Sequence, residues 1–144
     1  MASLLQNRAL IASTASWILA QALKVVISYV RERKFDFRWF VSPGGMPSSH
    51  AASVSCLAVF VGRRFGPAST ELAIVVVFAL IVMYDAAGVR RAAGRQAAIL
   101  NRIVREVHAL KGLRNERLRE LLGHTPIEVI AGSVLGIAIA LVAG

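Results

Sequence analysis

The apolar residues of the chain fall into four stretches that polar segments separate. These stretches run from about Ala9 to Val30, Ser48 to Gly62, Leu72 to Gly88 and Pro126 to Ala143. A helix that crosses the hydrocarbon layer needs about 20 mostly apolar residues, and the stretches come close to that length. The pattern predicts an all-α membrane bundle of about four spans, in which the short second stretch either crosses the bilayer or is re-entrant.

The segment from Arg90 to Gly123 has a different pattern. Its apolar residues recur at helical spacing among many arginines, which predicts a further helix. They are Ile99, Leu100, Ile103, Val104, Val107 and Leu110. This basic insertion, at about 90–123, is either a solvated helical hairpin or an interfacial helix on anionic lipid. Because the sequence shows no internal repeat, we expect one membrane domain over residues 1–144.

Composition supports a membrane protein over a soluble basic one. The hydrophobic fraction of 56% and the mean hydropathy of +0.62 exceed those of ordinary soluble domains. The excess of 17 Lys and Arg over 8 Asp and Glu would suggest nucleic acid in a soluble protein. Here the membrane would compete for the same basic face, so we expect no nucleic-acid partner. The single cysteine, Cys56, excludes an intrachain disulfide.

The positive charges predict an orientation. With four spans, most Lys and Arg residues fall on one side of the membrane: Arg31, Arg33, Lys34, Arg38, Arg90, Arg91, Arg95, Arg102, Arg105, Lys111, Arg114, Arg117 and Arg119. The other side carries Arg8, Arg63 and Arg64. Because Lys and Arg near span ends mark the cytoplasmic side, we expect a bacterial plasma-membrane protein with this basic face in the cytoplasm.

Cations at the cytoplasmic ends of the first and third spans predict an anion site. Lys24 and Arg31 lie seven residues apart, about two helical turns, so both project from one side of the first helix. A lysine inside an apolar helix is costly unless it pairs or reaches the surface. Arg90 and Arg91 follow the third span and either clamp a phosphate or anchor the chain at the membrane surface. Asp85 lies at the same depth.

Two histidines begin the second and fourth spans. Ser48, Ser49 and His50 open the second, where backbone N–H groups and the helix dipole favour an anion, although such serines also act as plain N-caps. In the fourth, the four-residue spacing places Glu128 on the same helix face as His124. A carboxylate there fixes the tautomer of an imidazole that attacks phosphorus. The alternative is a satisfied polar contact inside the bundle.

Three stretches resemble a known family: GGMPSSH, MYDAAGVRR and LGHTPIEVIAG. They are similar to a divergent bacterial and plant branch of the type 2 phosphatidic acid phosphatase and vanadium haloperoxidase superfamily, over nearly the whole chain. Members of the superfamily bind phosphate or vanadate without a metal. The resemblance therefore implies a phosphate site without a cofactor.

Two superfamily elements match the first half of the chain. A lysine and an arginine seven residues apart hold phosphate, and Lys24 and Arg31 keep this spacing, with Glu32 in place of a proline. A PSGH element supplies a serine, a glycine amide and an acid histidine. The sequence PSSH matches it except that Ser49 replaces the glycine, which puts the close backbone approach in doubt.

A third superfamily element matches only in part. It consists of an arginine, five residues, the nucleophilic histidine, three residues and an aspartate, followed by a glycine-patterned helix. His124, Glu128, Gly132 and Gly136 fit its latter half, with glutamate for aspartate. Leu118 occupies the arginine position, so the resemblance assigns that role to Arg90, with the basic insertion between arginine and histidine.

The resemblance implies a phosphatase acting on a lipid or prenyl phosphate monoester, or a pyrophosphate, through a phosphohistidine. His124 would be the nucleophile, Glu128 its orienting group and His50 the acid. Phosphate-binding residues would be Lys24, Arg31, Ser48, Ser49, Arg90 and Arg91. Asp85 has no counterpart in the superfamily pattern, and we expect it either to orient Arg90 or to have a role specific to this branch. The departures from the motifs favour a second hypothesis, a non-catalytic anion-binding protein in transport, scaffolding or assembly. Since the chain has fewer helices than the usual bundle, a homodimer is one way to complete the core.

Overall fold

The computed structural model describes residues 6–33, 40, 44–111 and 123–144, with the side chains of all of these but 31–32, 89–91 and 106–111. These ranges form five helices and no strand. The helices are α1 Arg8–Glu32, α2 Ser49–Phe65, α3 Thr70–Ala87, α4 Val89–Lys111 and α5 Pro126–Ala143. Four of them coincide with the predicted apolar stretches, and α4 begins the predicted insertion. The all-α prediction is confirmed.

Polar residues fix where the helices begin. Asn7, Ser48, Ser69 and Thr125 are the N-caps of α1, α2, α3 and α5, and each side chain accepts a hydrogen bond from a backbone N–H of the first turn. Such bonds satisfy donors that a helix start leaves without an intrahelical partner. Pro126 follows Thr125, at a position where its missing N–H costs nothing. The caps therefore align the helix starts with the ends of the apolar stretches.

The helix α2 lies at the centre of the bundle and packs against α1, α3 and α5. Its contact with α5 is very close. A Cβ atom at Gly132 would lie 2.2 Å from the carbonyl oxygen of Ser48, and one at Gly136 would lie 2.0 Å from that of Ala52. The GxxxG pair thus brings two backbones of the same chain into contact. Because α2 occupies this face, the pair gives no argument for a homodimer, which stays a prediction.

Small residues form the interior and large apolar residues form the surface. The buried cluster contains Ala12, Cys56 and Ala140, bordered by Val59, Phe60 and Ile139. Many Leu, Ile and Val side chains are exposed, among them Val142 at 90%, Ile127 at 70% and Ile74 at 64%. A protein in water would bury these side chains, whereas lipid tails solvate them and leave small residues to pack the helices.

Within the described residues, three stretches are long and apolar enough to cross a membrane: Arg8–Val30, Thr70–Arg105, which runs from α3 into α4, and Pro126–Ala143. The remaining core helix, α2, has 17 residues and is shielded by its neighbours. The chain is therefore an integral membrane protein with three long apolar helices around a shorter central one.

Candidate functional site

Four helix ends meet at one end of the bundle: the carboxyl ends of α1 and α3 and the amino ends of α2 and α5. Two backbone hydrogen bonds hold them together. The N–H of Ser48 donates to the carbonyl oxygen of Glu128 at 2.9 Å, and the N–H of His124 donates to that of Ala86 at 2.8 Å. The residues that precede α2 and α5 are thus fixed against each other and against α3.

The imidazole of His124 is held by the first turn of α5. Its Nδ1 lies 3.1 Å from Oε2 of Glu128, and His124 is buried, with 2% exposure. The same Oε2 accepts the N–H of Thr125 at 3.0 Å, while the Thr125 hydroxyl accepts the N–H of Glu128 at 3.3 Å. This arrangement is a capping box. The carboxylate of Glu128 therefore caps the N-terminus of α5 and also orients the imidazole of His124.

This hydrogen bond determines the tautomer of the imidazole. An ionised carboxylate only accepts hydrogen bonds, so Nδ1 carries the proton and Nε2 has the lone pair. Burial lowers the pKa of His124 below its usual value near 6.5, although the Glu128 hydrogen bond and charge act in the opposite direction. The nearby Lys24 charge also lowers this pKa, while a hydrogen bond to the Gly45 backbone raises it. Burial thus favours a neutral imidazole that donates its Nδ1–H to the carboxylate.

A second imidazole lies beside the first. His50 is in the first turn of α2, and its ring centroid is 6.0 Å from that of His124, with the ring planes at 66°. Because the Ser48 to Glu128 bond joins the two helix starts next to these residues, the two rings are held at a fixed separation. At this distance the two rings are in edge-to-face contact.

Lys24 brings a positive charge to the same place. It is 1% exposed, and its ammonium interacts electrostatically with Glu128 and His124. Gly45 covers its side chain: a Cβ at this position would lie 3.2 Å from Cγ and Cδ of Lys24. The φ of Gly45 is +86°, which also favours glycine. The charge is thus held beneath a glycine turn, next to His124 and Glu128.

The structure places the other predicted residues as follows. The buried hydroxyl of Ser48 accepts the N–H of Ala51 at 3.3 Å, as the N-cap interpretation expects. Ser49 is 2% exposed, and Asp85 is partly buried in the last turn of α3. The remaining predicted groups lie outside the described part of the structure: the side chains of Arg31, Arg90 and Arg91, and residue Leu118 with the rest of 112–122.

The sequence interpretation missed three contributors to this geometry. They are the Gly45 turn over Lys24, the Thr125 half of the capping box and the Ala86 carbonyl that holds the His124 backbone. The spacing of Thr125 and Glu128 is a recognisable capping-box signature, so that contact was open to prediction. The other two depend on long-range packing. Within the described residues, no three His, Cys, Asp or Glu side chains form a metal site.

Comparison with known proteins agrees with the predicted resemblance. The sequence profile of the Divergent PAP2 family matches residues 5–139. An uncharacterized membrane protein of Bacillus subtilis, YuiD, is 43% identical over 150 aligned residues, which cover 96% of this chain and 95% of that protein. No solved structure matches. Because this match covers nearly the whole chain, the chain belongs to the Divergent PAP2 family.

Proposed function

We propose that the protein is a membrane phosphatase that hydrolyses a lipid or prenyl phosphate monoester, or a pyrophosphate, through a phosphohistidine. The observation that carries this proposal is the pair of histidines. His124, itself buried, has its Nδ1 on the half-buried Glu128 carboxylate, and the ring of His50 lies 6.0 Å away. Anion binding alone needs cations and amides, whereas a nucleophile next to an acid is what group transfer needs.

The proposed reaction has two displacement steps at phosphorus. In the first, Nε2 of His124 forms a bond to phosphorus, the bond to the alkoxide oxygen breaks, and His50 gives that oxygen a proton. In the second, water attacks phosphorus, its proton passes to His50, and the N–P bond breaks to release phosphate. Glu128 stabilises the imidazolium that forms transiently. The pKa of His124 is lowered by burial, which keeps the attacking ring neutral at pH 7.

Phosphoryl transfer depends mainly on positioning and on cations around the transferred group. Lys24 supplies one buried cation next to His124. We assign the other phosphate contacts to Arg31 and Ser48, which match superfamily motif positions, and to Ser49, Arg90 and Arg91, which we add from their positions in the sequence. Asp85 has no counterpart in the superfamily pattern, and its proposed role is to orient Arg90. This site at the end of a membrane bundle suits a phosphate head group whose tail stays in the bilayer. From the distribution of Lys and Arg, we place the site on the cytoplasmic side of a bacterial plasma membrane.

A second candidate function is phosphate or anionic-lipid binding without turnover. The position of Ser49 favours it: this residue is 2% exposed at the point where the superfamily has a glycine for close backbone approach. Leu118, at the place of the motif arginine, favours it as well. The two functions differ in whether an N–P bond forms.

The test is phosphate release from phosphatidic acid, phosphatidylglycerol phosphate and prenyl phosphates, with purified protein and no added metal. His124→Ala should abolish release, while His108→Ala, at the one histidine outside the site motifs, should retain it. A ³¹P NMR spectrum of the quenched reaction should show an acid-labile phosphoramidate in the wild type and none in His124→Ala. If the wild type binds these lipids but releases no phosphate from any of them, the non-catalytic function replaces the proposed one.

A further inference from the structure

The helix α4 presents three different faces. At about 100° per residue, residues three and four apart share a face. One face is buried and contains Gly94, Ala97 and Asn101. A second face is exposed and basic, with Arg95, Arg102 and Arg105. A third is exposed and apolar, with Ile99, Leu100 and Ile103.

The exposed apolar face is large for a helix in water. Ile99 is 60% exposed, Ile103 is 50% exposed and Leu100 is 49% exposed, and together they span an arc of about 100°. Because a different face of α4 is the buried one, this apolar arc is not the side that packs on the protein. It has the width and composition of the apolar side of a helix that lies in a membrane interface.

The start of α4 places it at the membrane surface. Val89 follows directly on Ala87 and Gly88, at the end of α3, and α3 is part of an apolar stretch long enough to cross the bilayer. The arginine face borders the apolar arc, so side chains inserted among acyl chains would bring the guanidinium groups level with the lipid phosphates. Guanidinium groups bind phosphate oxygens bidentately, which is the chemistry that selects an anionic headgroup.

We propose that α4 is an in-plane interfacial helix that binds anionic phospholipid, with Ile99, Leu100 and Ile103 in the acyl region and Arg95, Arg102 and Arg105 on the headgroups. This surface is separate from the histidine site, and the proposal does not depend on phosphatase activity. It recruits anionic lipid to the end of the bundle at which α3 leaves the membrane.

The single cysteine of the chain makes a direct test possible. In a Cys56→Ser background, Ile99→Cys carries a bimane label, and the full-length protein is reconstituted in vesicles of phosphatidylcholine with phosphatidylglycerol. Quenching by brominated forms of each lipid reports which lipid contacts the label, and aqueous iodide reports contact with water. Both substituted side chains leave the buried helix contacts of α4 unchanged, because Ile99 is exposed and Cys56 lies in α2.

We expect lipid to quench the label, with brominated phosphatidylglycerol favoured about fivefold, the factor for a single charge near an anionic surface. Replacing Arg95, Arg102 and Arg105 by Gln should bring the ratio close to one. The matched control, Arg63→Gln with Arg64→Gln at the exposed end of α2, should leave it unchanged.

Three results would overturn the proposal. Quenching by iodide without quenching by lipid would show a solvated helix. Protection from both quenchers would show that a second copy or another protein covers the face. A preference for phosphatidylglycerol that is absent, or that survives loss of the three arginines, would show that this basic face does not select the headgroup.

Discussion

The close contact between α5 and α2 predicts a large effect of adding one methyl group at Gly132. Its Cβ would stand 2.2 Å from the carbonyl oxygen of Ser48, where about 3.0 Å is the practical lower limit, so the backbones would have to separate by about 0.8 Å. The atom in the way belongs to the main chain and cannot rotate aside. We therefore expect Gly132→Ala to destabilise the bundle by about 1–3 kcal/mol, the usual range for overpacking.

The same displacement should reach the site. Gly132 lies one turn after Glu128, whose carbonyl oxygen accepts the N–H of Ser48 at 2.9 Å. Moving the start of α2 away from α5 lengthens this bond and separates His50 from His124. If the two histidines act on one phosphate, a misplacement of this size should lower kcat by about 100-fold. Partial unfolding alone would lower the active fraction and leave kcat per folded molecule unchanged.

Gly62→Ala is the matched control. Gly62 is also inside a helix, but its added Cβ would meet Leu72 side-chain atoms at 3.4 and 3.5 Å, an ordinary contact. This variant should be neutral or stabilised by up to about 1 kcal/mol, because alanine favours the helix. Reversible denaturation in micelles, followed by circular dichroism, measures both variants. Equal stability of Gly132→Ala and Gly62→Ala would refute the argument that the α5 to α2 contact leaves no room for a side chain.

Three further predictions concern the site itself. Because burial lowers the pKa of His124, its ring should remain mostly neutral at pH 6.5. Glu128→Gln removes a group that raises this pKa and should lower the pKa further. An NMR titration of the imidazole with a midpoint above pH 6.5 would contradict this prediction. Lys24→Met should weaken phosphate binding measured by calorimetry, because it removes the buried cation next to His124 and Glu128; unchanged binding would argue against this role. Thr125→Val should cost about 1 kcal/mol in denaturation, and Thr125→Ser almost nothing, since only serine keeps the cap.

The features that the sequence predicts well are local ones. An apolar stretch of span length specifies a helix whatever its neighbours are, and N-caps such as Ser48 and Thr125 mark its start. The four-residue spacing of His124 and Glu128 likewise predicts their contact, because both belong to one helix turn.

Contacts between helices follow from packing that no local pattern encodes. Gly132 and Gly136 predict a close approach of another helix, but only the structure shows that this helix is α2 of the same chain. In the sequence, Gly45 is an ordinary turn residue, and only the structure shows that the Lys24 side chain of α1 lies beneath it. The central position of α2 likewise depends on contacts between helices. Its length of 17 residues suggests a marginal span, whereas in the structure three neighbouring helices pack around it.

The glutamate at position 128 departs from the aspartate of the superfamily motif, and the structure gives a physical reason for the longer side chain. Oε2 of Glu128 must reach back to the N–H of Thr125, three residues earlier, and to Nδ1 of His124, four residues earlier. In a capping box this backward reach is made by Glu or Gln. The longer residue thus couples the orientation of His124 to the start of α5. Glutamate in place of aspartate therefore still allows a carboxylate to orient His124. It does so from the same helix that carries Gly132 and Gly136.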